Sequence, residues 1–143
     1  ALAEARRVCR PGSPIVAAAY ADDDGHPAKA AVETVLREHG WRPPSWHAAI
    51  RRDALPVLAT VEGASRAADR AGLAAAVRHV RVPMPWLTAG DIVAWRLGMA
   101  QHAPYVDRLP PGARIEVRDA ALAELGADPP PLERSIIVIC AIA

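Results

Sequence analysis

Trp41, Trp46 and His47 stand close together in a proline-rich stretch with Pro43 and Pro44, and aromatic rings beside an imidazole can hold a planar molecule and take a proton from it. The same side chains could instead pack a stiff connection onto a sheet. A second group, Tyr20, the acidic run Asp22-Asp23-Asp24 and His26, follows directly on the apolar run Pro14 to Tyr20. Ligands of open α/β sheets collect outside the carboxyl ends of the parallel strands, so these residues are candidates for a binding rim if that run is a strand. The competing reading caps the core with Tyr20 and leaves the carboxylates solvated near a helix N-terminus. A third concentration, Trp86, Trp95, Met99, His102 and Tyr105, lies between residues 86 and 105, where it could line a pocket or simply pack helices.

Other chemistries find no foothold. The acidic run lacks the spacing of a calcium loop, because Pro27 stands where that loop needs glycine. No histidines stand four residues apart, and Cys9 and Cys140 do not form a zinc-type pair. Cys9 sits on an apolar helical face with arginines nearby and no evident base, so it reads as a small core residue and not a nucleophile. His39, just before Gly40, suits the end of a helix, and His79 alternates with Arg78 and Arg81 on a half-exposed strand, facing solvent.

The elements that would position these residues are well punctuated. Leu2, Ala5, Val8 and Cys9 share a face of a first helix, which Pro11-Gly12 ends. Residues 14 to 20 have no polar alternation, the habit of a strand covered on both faces. Pro27 opens a helix with Ala28, Ala31, Val32, Val35 and Leu36 on its apolar face, and Gly40 closes it. Residues 41 to 59 allow no assignment. Thr60 caps a helix over 61–71, residues 77–82 form a strand that Pro83 and Pro85 stop, and Thr88 with Asp91 forms a capping box for a helix to about Gln101. A turn over 104–109, a helix from Pro111 to Leu125 closed by Gly126, and the wholly apolar strand 136–142 complete an α/β order.

The segment Arg7-Val8-Cys9-Arg10-Pro11-Gly12-Ser13, followed by the apolar strand, resembles the middle of class I S-adenosylmethionine-dependent methyltransferases, where R-V-L-R-P-G-G precedes the fifth strand. Asp69-Arg70-Ala71-Gly72-Leu73 resembles the A-G-F turn before strand six. The resemblance implies that 14–20, 77–82 and 135–142 correspond to strands five, six and seven of a partial Rossmann-like sheet, with the seventh antiparallel between the other two. Residues 1–143 would then be one domain, the C-terminal half of that fold, with residues 87–132 as a helical cap. It further implies methyl transfer to a small-molecule acceptor, with Tyr20, His26, Trp41, Trp46, His47, Trp95 and Met99 on the acceptor side. The alternative is a binding or dimerisation module without catalysis.

The resemblance also has a gap. The family holds its cofactor on a Gly-rich turn after strand one, and the nine glycines here are scattered with no G-x-G. S-adenosylmethionine is therefore expected to bind the complete enzyme and not this chain alone, which should be inactive by itself. Its expected partner is a second copy or the missing half. A net charge of +1 gives no reason to invoke nucleic acid or a membrane surface. No apolar run approaches the roughly 18 residues of a membrane span, and there is no secretory pattern at the start, so the expected compartment is the cytoplasm.

Overall fold

The computed structural model describes all 143 residues, and they form two compact units. The first contains Ala1–Asp24, Ala49–Val82 and Arg134–Ala143; the second contains Gly25–Ala48 and Pro83–Glu133. The fold is α/β, with one three-stranded antiparallel sheet.

The sheet has the order β1-β3-β2, with β1 at Pro14–Tyr20, β2 at Ala75–Met84 and β3 at Leu132–Ile142. β1 pairs antiparallel with β3 in a register that sets Pro14 opposite Ile142 and Tyr20 opposite Ile136. Ala21 N–H donates to the Ser135 carbonyl, and Ala143 N–H donates to that of Ser13. By the alternation of an antiparallel ladder, Ile15, Ala17 and Ala19 therefore bond to β3, while the main-chain groups of Val16, Ala18 and Tyr20 point to the other side. No strand pairs with that outer edge.

Helix α1 (Leu2–Val8) and helix α5 (Val61–Arg70) lie on one face of this sheet. Ile15, Leu73 and Ala141 pack with Ala68 of α5 and with Leu2, Ala5 and Cys9 of the first helical segment. Ala21, Ile137 and Ile139 pack with Ala64. Small residues on α5 let its backbone approach the strands closely. Thr60 Oγ1 accepts from Gly63 N–H at 3.0 Å, the N-cap that its position suggested.

β1 corrects one expectation. Its burial alternates, with Ile15 buried and Val16 71% exposed, so it is a sheet-edge strand covered on one face and not on both. On the open face lie Val16, Ala18, Tyr20 and, across the register, Cys140 and Ile142. Cys140 is accordingly exposed, where the apolar sequence around it suggested burial; both cysteines are free. Apolar composition records which side chains tolerate cover, and the cover itself comes from other elements.

In the second unit, helix α2 (Pro27–Glu38), helix α6 (Ala89–Leu97) and helix α8 (Pro111–Leu125) share a core of Val32, Val35, Leu36, Val93, Leu97, Val117 and Ala121, closed by Trp41. The capping box of α6 is complete: Asp91 N–H donates to Thr88 Oγ1, and Asp91 Oδ2 accepts from Thr88 N–H. The helix ends at Leu97, short of Gln101, and a one-turn helix α7 (Ala103–Val106) follows. Residues 45–58, which the sequence left unassigned, form α3 (Ser45–Ala49), a π-helical turn (Ile50–Ala54) and α4 (Leu55–Leu58). No helix is long and apolar enough to cross a membrane.

Candidate functional site

β1 and β2 both run antiparallel to β3, so their carboxyl ends point the same way. In the first unit, the loop after β1, the middle of β2 and the start of β3 bring Asp23, Asp24, His79, Arg81, Arg134 and Ser135 together at that rim. Ser135 Oγ lies 2.5 Å from Asp23 Oδ1 and 2.5 Å from His79 Nε2. The His79 nitrogen is 3.4 Å from the same carboxylate oxygen, and Arg81 Nη2 donates to Asp23 Oδ2 at 2.9 Å. The serine hydrogen bond is the first cause holding the Asp23 carboxyl below its ordinary 3.8, with the charges of His79 and Arg81 adding to it against partial desolvation. Asp23 is ionised throughout the neutral range.

Strand alternation explains why these groups meet. His79 and Arg81 continue the face of β2 that Ala75 and Val77 turn toward the helices, and Ser135 begins the face of β3 that Ile137 and Ile139 continue. Apolar packing occupies this face near α5, and polar side chains take it over at the rim. Ser135 itself is buried, while His79 and Asp23 keep 36% and 40% of their side-chain surface exposed.

Asp24 anchors the rim. Its carboxylate accepts from Arg134 Nη2 at 2.7 Å and from Ser135 N–H at 2.8 Å, and the paired side chains are only 8% and 4% exposed. The acidic run was expected to be solvated; Asp24 is instead half of a buried ion pair. His79 is exposed, as expected, and also bonds to Ser135, which the sequence did not suggest. Both contacts were hidden for one reason: the partners of Asp24 lie 110 and 111 residues away and that of His79 lies 56 away, which leaves no local signature.

The geometry separates the possible chemistries. A nucleophilic serine must pass its proton to an imidazole nitrogen, with the carboxylate on the far ring nitrogen. Here the carboxylate touches the serine and the same nitrogen, so Ser135 gives its proton to Asp23 and is a bridge, not a nucleophile. No group of three or more His, Cys, Asp or Glu side chains is placed to hold a metal ion.

The residues singled out in the sequence lie elsewhere. Tyr20 points to the open face of the sheet, where the Arg134 guanidinium stacks 4.2 Å from its ring centre. His26 caps α2, its Nδ1 accepting from Ala28 N–H and its Nε2 lying 2.9 Å from the Pro130 carbonyl, which fixes a loop. Trp41 is buried and donates through Nε1 to the Gln101 carbonyl at 3.0 Å, its ring edge-on to the buried His102. Trp46 is half exposed and meets His47 edge to face. A cleft of about 480 Å³ in the second unit brings Trp41 and Trp46 together with Pro44, Tyr105 and Arg108; neither His47 nor Met99 lines it. Trp95 lies under Arg96, and Met99 Sδ accepts from Arg96 Nη1. Another cleft, of about 400 Å³ between α1 and α5, is lined by apolar side chains with Arg70 the one charged group, and offers nothing that could carry a reaction.

The chain matches no model of a known protein family and no curated protein.

Proposed function

We propose that this chain is the acceptor-side half of a cytosolic class I S-adenosylmethionine-dependent methyltransferase acting on a small molecule. The observation that carries the reading is the sheet order, a central antiparallel β3 flanked by β1 and β2, which is the arrangement expected for strands seven, five and six of that fold. Further support comes from the turn before β1, where Gly12 adopts φ +82°, and from the free outer edge of β1, where a fourth strand would continue the sheet. The polar rim lies at the carboxyl end of β1, beside the middle of β2, and such folds bind their ligands at the carboxyl ends of their strands.

The residues of this chain do not fit the cofactor. The glycines with positive φ are Gly12, Gly40, Gly72 and Gly126, each at a separate turn. None forms with a neighbour the backbone cradle that the sulfonium and its adenosine require. No step through the cofactor is therefore assigned to these residues. Their part is to bind the methyl acceptor, orient it and manage its proton, with positioning as the main source of rate.

A second reading, a binding or dimerisation module without catalysis, draws on the open apolar face of the sheet. Calorimetric titration with S-adenosylmethionine distinguishes the two when done on this chain and on one translated together with the residues encoded before Ala1. The enzyme reading expects no heat from the first and saturable binding to the second. Absence of binding in the extended protein would leave only the module.

A further inference from the structure

The proton positions at the rim follow from counting donors and acceptors. The Asp23 carboxylate can only accept, so the single Ser135 proton points to it. Ser135 Oγ is then left with lone pairs alone on the side facing His79, and the contact at 2.5 Å needs a hydrogen on His79 Nε2. A neutral imidazole carries one N–H, so His79 Nδ1 holds a bare lone pair. That nitrogen makes no hydrogen bond within the protein, and the side chain is more than a third exposed.

We propose that His79 is the general base of this rim, taking a proton through Nδ1 from a weakly acidic hydroxyl of the bound molecule, with Ser135 and Asp23 as its positioning residues. The inference rests on the methyl-acceptor reading for the purpose of the step and stands on the rim geometry for its chemistry. As the ligand O–H bond breaks, its electron pair stays on oxygen and a new N–H forms at Nδ1. The Nε2 hydrogen remains where it was, and the resulting imidazolium faces the Asp23 carboxylate 3.4 Å away. The charged groups around the ring are Asp23 and Arg81 and the Arg134–Asp24 pair beside Ser135. The acidity of the hydroxyl narrows the ligand class. A base is most effective when its proton affinity lies near that of the group it serves, and a phenol, ionising near 10 like a tyrosine, is a closer match to an imidazole than an aliphatic alcohol is. The acceptor is accordingly a phenol or an enol of similar acidity.

Long-range nitrogen–proton NMR on the labelled chain reads the protonated ring nitrogen directly. The native chain should show hydrogen on Nε2 of neutral His79, and Ser135→Ala should relax this to a mixture of both forms. Added 4-nitrophenol should move the His79 ring signals toward the imidazolium in the native chain and less so in Asp23→Asn. Hydrogen on Nδ1, or ring signals indifferent to the phenol, would each overturn the assignment. Each of those leaves the methyl-transfer reading standing, and failure of the cofactor titration leaves the tautomer and its coupling to Asp23 untouched.

Discussion

Single side chains decide most at two buried positions. Asp24 and Arg134 are both withdrawn from water and rely on one another and on Ser135 N–H. Removing one member leaves an uncompensated buried charge, so Asp24→Ala should cost about 3–5 kcal/mol of stability in urea titrations. His102, fully buried, donates through Nδ1 to the Arg96 carbonyl at 2.8 Å, and its Nε2 finds no partner. Burial comes first in holding its proton affinity below the ordinary 6.5, and the nearby Arg96 charge adds to it, while the hydrogen bond and Glu33 oppose. The unfolded chain thus binds a proton at this position before the folded one does. Stability contributed by neutral His102 is complete above 6.5 and declines as the pH falls below that value. The loss in urea midpoint on acidification through that range should be smaller in His102→Leu than in the native chain. Neither role was visible in the residue types. Asp24 looked like one carboxylate of three, and the only available hint was an Arg-Ser pair at the entry of an otherwise apolar strand.

Elements were far more legible. Helices α2, α5 and α8 begin and end where Pro27, Thr60, Pro111, Gly40, Gly72 and Gly126 punctuate the chain, since caps and positive-φ exits are local physics. Replacing Thr60 by alanine leaves the Gly63 N–H without its acceptor and should cost about 1 kcal/mol, read as a lower thermal midpoint. The stretch 45–58 resisted assignment because its apolar residues follow no single period. The structure shows why: two short helices meet there through a π-helical turn, and Pro56 sits in the first turn of the second. β1 failed in the opposite way. Its composition was unambiguous about burial potential, yet alternate side chains stand in solvent because helices cover only one side of it.

For the molecule as a whole, the α/β class and the central place of β3 could be read from order and hydropathy. The division into two compact units could not, because each is assembled from segments distant in sequence. The rim was also invisible, being built from three elements that only folding brings together. A nearly neutral net charge offers little repulsion between copies, and the open face of the sheet carries Val16 and Ile142 at 71% and 60% exposure. Sedimentation velocity should therefore show association that grows with protein concentration, and Val16→Lys should reduce it. A species of constant mass over a hundredfold dilution would argue that this face is left alone.

The ladder on β1 has one more consequence, and it concerns time. Amides that bond to β3 are released only when the pair of strands separates, whereas those at Val16, Ala18 and Tyr20 meet solvent in the intact fold. In deuterated buffer the strand should thus lose its protons in two tempos, fast at even positions and slow at Ile15, Ala17 and Ala19. Any strand that docked alongside would silence the fast set alone, so the isotope clock would register its arrival residue by residue.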